Sequence, residues 1–160
     1  MFRARWTDEI HREWIENLLE HEPHRERAKL ERTRELMNAA VLGCLVTGYE
    51  ALIPALRLPD ADDRHVLAAA IRGRADIIVT YNLKDFPHEV LSGYGIEAQH
   101  PDEFVSNLIS LEAELVYTTV REQRARLKNP PKSAEDFLAA LEKQSLVQTV
   151  AELRKAADLI

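Results

Sequence analysis

Apolar residues recur at helical spacing from the first decade of the chain: Ile10, Trp14, Ile15, Leu18 and Leu19 fall on one face of a helix. Thr7 stands before that run as a cap for free backbone N–H groups, and Asp8 and Glu9 suit the positive end of the helix dipole. Pro23 ends the segment. A second helix is expected over residues 24–40, where Ala28, Leu30, Leu36, Met37 and Ala40 are spread among many charges, the pattern of a solvated surface helix. Residues 41–47 are apolar, partly β-branched and followed by Gly48, which predicts a buried strand. Residues 49–56 predict a short helix closed by Pro54 and Pro59.

The clearest unit comes next. Asp62 or Asp63 caps a helix whose apolar face is Val66, Leu67, Ala69, Ala70 and Ile71, and Gly73 is expected to close it in the left-handed conformation. Residues 75–80 then form a β-branched strand. Helix, tight turn and apolar strand make half of a parallel α/β unit. A loop bearing Asn82, Lys84, Asp85, Phe86 and Pro87 leaves the strand's carboxyl end, where open parallel sheets bind ligands. Residues 94–98 read as another short strand, and Pro101 sits in the first turn of the helix that follows. From there the pattern is helical: Leu108, Leu111, Leu115, Val116, Val120 and Leu127 form one stretch. Residues 129–133 break it, and Ser133 caps a further helix carrying Phe137, Leu138 and Leu141, then Leu146, Val150 and Leu153.

Composition narrows the chemistry. Five glycines in 160 residues are under half the usual ~7%, and neither a dinucleotide fingerprint nor a P-loop is present. The lone Cys44 excludes a disulfide framework and a thiolate zinc site, and suits a reducing cytoplasm. With 21 basic and 27 acidic residues the net charge is −6, unlike that of a bulk-electrostatic nucleic-acid binder. No apolar run approaches the ~18 residues of a membrane span, and the first residues lack the core of a signal peptide, so a cytoplasmic location without membrane partners is expected. The histidines show no zinc-protease spacing, and His65, beside Val66 and Leu67, reads as a histidine at the helix surface or the core edge.

The acids fall into three sets: Asp8 and Glu9 opening the first helix, Asp60, Asp62 and Asp63 opening the central one, and Asp85 after the strand. Helix starts and strand carboxyl ends share one edge of a parallel α/β sheet, so these carboxylates converge there unless each is only a cap. Converging carboxylates repel unless a cation neutralises them, and hard oxygen donors favour Mg²⁺ or Mn²⁺. Such a site can bind a phosphodiester and activate a water.

The run from Asp62 to Ala70, its spacing to Ile78-Val79-Thr80-Tyr81-Asn82-Leu83-Lys84-Asp85-Phe86, and the upstream Trp6-Thr7-Asp8-Glu9-Ile10 resemble the PIN-domain family, the fold of VapC-type toxin ribonucleases. The resemblance covers roughly residues 1–110 and implies an α/β, three-layer fold with a short parallel sheet. Residues 111–160 are left as a C-terminal helical extension. The resemblance further implies RNA hydrolysis with Mg²⁺ or Mn²⁺ as cofactor, with Glu9, Asp63 and Asp85 as catalytic acids. Glu9, Asp62, Asp63, Asn82 and Asp85 are the implied metal ligands, and Thr80 supports them. Asn82 is neutral where the family often has an acid, which weakens cation binding.

The family's first strand, which ends in an Asp, has no counterpart here. The resemblance therefore implies a domain without its first strand and first metal-binding Asp, and a ribonuclease toxin that is weakened or inactive in this form. The alternative is a catalytically dead relative that oligomerises or binds an antitoxin. Implied partners are RNA, an antitoxin protein and further copies of the chain as a homodimer or higher oligomer, since unpaired strand edges associate. Arg121, Arg124, Arg126 and Lys128 read either as phosphate contacts or as a solvated helix face.

Overall fold

The computed structural model describes residues 2–160. They divide into two compact units, one of residues 2–78 and 83–98, the other of residues 79–82 and 99–160.

In the first unit, helix α1 (Asp8–His21) starts where the cap was expected: Thr7 Oγ1 accepts from the Ile10 amide at 3.0 Å. Helix α2 (Arg27–Ala40) packs against it and buries only Leu30, in keeping with its charged sequence. Near the end of α2, Asn38 Oδ1 accepts from Trp6 Nε1 at 2.6 Å and faces His11 Nε2 at 3.0 Å. His11 Nδ1 accepts from Trp14 Nε1 at 2.9 Å, so Nε2 is the nitrogen that donates to Asn38. His11 is 1% exposed, and this chain of bonds satisfies polar groups whose burial would otherwise be costly.

Residues 41–47 do not form the expected strand. Gly43 takes φ +69° and the Cys44 amide turns back to the Val41 carbonyl at 3.3 Å, which leaves Leu42 92% exposed. Among the described residues, a single parallel bridge, Trp6 with Leu45, survives of the apolar run. Residues Glu50–Ala55 wind as a 3₁₀-helix containing Pro54.

Helix α3 (Arg64–Gly73) is the centre of this unit. Leu67 and Ala68 are wholly buried, packed among Val46, Tyr49, Leu56, Ile78, Phe86 and Leu91. The left-handed residue that closes α3 is Arg74 (φ 52°), not Gly73. Gly73 stays helical and serves close packing, because a Cβ there would lie 3.0 Å from Val46 Cγ2. Strand β1 (Ile77–Val79) pairs in parallel with β2 (Glu97–Gln99). Between them lie a 3₁₀ turn (Leu83–Asp85), helix α4 (His88–Leu91) and a second turn (Ser92–Tyr94). Gly95, at φ +69°, closes that second turn, so β2 begins at Glu97 rather than at residue 94.

The second unit contains α5 (Pro101–Ala125), kinked at Glu112, then α6 (Ala134–Glu142) and α7 (Val147–Arg154). Ser133 and Asp136 form a reciprocal capping box on α6. Val116, Val120, Phe137, Leu138, Val150 and Leu153 make its core. Asp102, in the first turn of α5, is buried and accepts from the amides of Gln148 and Thr149, each at 2.8 Å, so it caps the start of α7. Burial acts to raise its pKa, but the Thr149 and Gln148 hydrogen bonds outweigh it and hold the carboxyl below the usual range. Residue 110, the end of the PIN-like segment drawn from the sequence, lies within α5, shortly before the kink. The result is the helix-rich α/β fold with a short parallel sheet and C-terminal helices that the pattern indicated. Among the described residues, no helix is long and apolar enough to cross a membrane.

Two outcomes follow for stability. Val46 is buried and β-branched, so Gly73→Ala should cost about 1 kcal/mol in denaturant unfolding, and clearly less than that when it is made in a Val46→Ala background, which leaves room for the new Cβ. Asp102→Ala should cost about 1–3 kcal/mol. Because the folded carboxyl titrates below its unfolded counterpart, this stabilisation is complete above the ordinary carboxylate range and fades as pH falls through it. The gap between wild type and variant in melting experiments should therefore close in acid.

Candidate metal centre

One carboxylate oxygen from each of Asp60, Asp63 and Asp85 lies within 4.8 Å of the others. Local backbone structure explains the convergence. Asp60 sits in the turn before α3, where its Oδ1 accepts from the Asp62 amide at 2.9 Å. Asp63 occupies the cap position of α3, yet its side chain makes no capping bond. The ordinary duty of an Asp at a helix start is thus not taken up, and the carboxylate is left to the acidic group. Asp85 ends the 3₁₀ turn after β1, and the next residue, Phe86, is 5% exposed and anchors that turn in the core.

The group's electrostatics match its geometry. Partial burial pushes the Asp63 carboxyl above its ordinary value, and the charges of Asp60, Asp85 and Glu13 add to the shift while His65 opposes it. Clustered hard oxygen donors that repel one another fit a divalent cation such as Mg²⁺ or Mn²⁺.

Helix α1 brings two more acids to this end of α3. His65 is buried, not at the helix surface: the residue is 5% exposed. Glu13 Oε1 lies 2.9 Å from His65 Nε2, and Glu9 Oε2 lies 3.7 Å from Nδ1. Neither approach is a hydrogen bond. Glu9 is engaged otherwise, accepting from the Tyr49 hydroxyl at 3.2 Å and from Arg12 Nη2 at 2.9 Å. Burial, reinforced by the charges of Glu9 and Glu50, raises the Tyr49 phenol above its usual pKa. Glu13 is the α1 acid that acts on Asp63, and the two line a shallow groove with Arg12, Glu16 and Asn17.

Of the residues expected from sequence, Asp63 and Asp85 are thus brought together. Glu9 lies beside His65, and Asp62 is exposed and outside the group of three. Thr80 and Asn82 belong to the second unit, where Thr80 Oγ1 accepts from the Asn82 amide at 3.0 Å. Arg121, Arg126 and Lys128 are exposed there. Arg124 instead donates to the backbone carbonyls of Lys132 and Ile160, at 3.1 and 3.0 Å, a structural use. The sequence places Asp60 among the acids expected to converge but not among the ligands implied by the resemblance, and it gives Glu13 and Tyr49 no role. The available signals were the three-residue spacing of Asp60 from Asp63 and the position of Glu13 one helical turn after Glu9.

Two family models match the chain: a PIN domain over residues 2–84 and a VapC50 C-terminal domain over residues 101–155. The Mycobacterium tuberculosis protein named "Putative ribonuclease VapC50" is 41% identical over 97 residues, which cover 61% of this chain and 57% of that protein. The chain therefore spans little more than half the length of the curated relative it matches. No solved structure gives a significant match. The PIN match takes in more than half of the chain and includes α1, α3 and two of the three clustered aspartates. The chain belongs to the PIN domain family.

Proposed function

We propose that this chain is a PIN-like metal-dependent ribonuclease, in which Asp60, Asp63 and Asp85, with Glu13 beside them, hold Mg²⁺ or Mn²⁺. The observation that carries the reading is the approach of three carboxylate oxygens within 4.8 Å at a helix start where Asp63 is not used as a cap. When bound, the cation would polarise a phosphodiester oxygen, make a coordinated water more acidic and stabilise the leaving oxygen. The protein's own part is to keep the acids converged and, through Arg12 at the groove, to offer a cation to a neighbouring phosphate.

RNA as substrate is supported by the ribonuclease named among the relatives. Resemblance to VapC-type toxins supports a place in a toxin–antitoxin pair, with an antitoxin protein and self-association as partners.

Calorimetric titration of Mn²⁺ should give saturable binding to wild type and at least about tenfold weaker binding to Asp63→Asn. Mn²⁺-dependent cleavage of RNA should fall to background in the same variant. Equal binding by both proteins would overturn the assignment. In metal-free buffer at neutral pH the order of stability should reverse: Asp63→Asn removes one of the crowded charges, so it should melt above wild type, and Mn²⁺ should abolish that advantage.

A further inference from the structure

Buried polar atoms in folded proteins almost always have partners, so an exception asks for an account. His65 is such an exception: both ring nitrogens are buried and neither makes a hydrogen bond. Both nonetheless face carboxylates of α1 that lie one helical turn apart, Glu9 toward Nδ1 and Glu13 toward Nε2. The two carboxylates are not equally placed. Glu9 already has the Tyr49 hydroxyl and Arg12, whereas among the described residues the only close polar contact of Glu13 is with His65. On α3, His65 follows Asp63 by two residues, and Glu13 adds to the charge that Asp63 feels.

We infer that His65 is a positioning residue whose Nε2 edge, in contact with the Glu13 carboxylate at 2.9 Å and short of hydrogen-bond geometry until a cation draws the acids in, places that carboxylate beside Asp63 and thereby sets how tightly the acidic group takes a divalent cation. This rests on the cation reading of Asp60, Asp63 and Asp85. An imidazole suits the task because it is rigid and carries its two nitrogens on different edges, so one ring can address two carboxylates from the same helix. Its burial among α1 and α3 residues removes the rotamer freedom that a longer side chain would keep. Partners that orient metal-binding side chains typically contribute about 10–100-fold to metal affinity.

The test is calorimetric titration of Mn²⁺ into the full chain as wild type, His65→Gln, His65→Asn and His65→Ala, with thermal melts in metal-free buffer. A Gln amide nitrogen falls near the position of Nε2 and an Asn amide nitrogen near that of Nδ1. Affinity should therefore be close to wild type in His65→Gln and about tenfold weaker in His65→Asn and His65→Ala. Adding His65→Ala to Glu13→Gln should cost nothing further. Equal losses in the Gln and Asn variants that track their melting temperatures would overturn the inference. So would unchanged binding in His65→Ala, or a loss that persists in the Glu13→Gln background. If His65→Ala does not fold, the Gln and Asn pair decides. Wild type that binds Mn²⁺, loses it on Asp63→Asn and is indifferent to His65 overturns only the positioning role. Wild type that binds no Mn²⁺ overturns the cation reading and this inference with it.

Discussion

Carboxylates brought within 4.8 Å of one another repel, and they stay so only where the backbone that carries them is held by something stronger. In the first unit that hold is the burial of α3 and of the turn bearing Asp85. Leu67 and Ala68 fix the helix that presents Asp63, and Phe86 fixes the turn that presents Asp85. Apolar packing therefore opposes the electrostatics of the site, and the Asp63 carboxyl is raised first by its burial and then by the charges around it. An arrangement strained in this way has most to gain from a cation.

Elements governed by local chemistry were legible in the sequence. Thr7 and Ser133 sit at their caps, the β-branched run gives β1, and of the acids read as converging, Asp60, Asp63 and Asp85 come together while Asp62 and Glu9 stay outside that group. What was not legible depended on partners distant in sequence. The apolar run of residues 41–47 carries strand composition, but Gly43 turns it and only the short segment around Trp6 is available to pair with it. Gly73 signals a helix end, yet its role is set by Val46, a contact no periodicity contains. Glu9 and Glu13 share a face of α1 and are equivalent in pattern; the fold separates them by giving Tyr49 to one and leaving the other near Asp63.

The second unit follows a different logic, in which charged groups serve the backbone. Asp102 takes two amides of α7, and Arg124 takes two carbonyls. Of the four basic residues read as phosphate contacts, Arg124 is therefore committed to structure, while Arg121, Arg126 and Lys128 keep exposed charges. A basic cluster in sequence is not one surface in space: its members divide according to which carbonyls lie within reach.

The chain's two tryptophans both belong to the network around Asn38, Trp6 bonded to its oxygen and Trp14 linked to it through His11. Indole emission depends on burial and on the hydrogen bond at Nε1. Intrinsic tryptophan fluorescence is therefore an optical reporter of the junction between α1 and α2, while α5, α6 and α7 carry no tryptophan of their own.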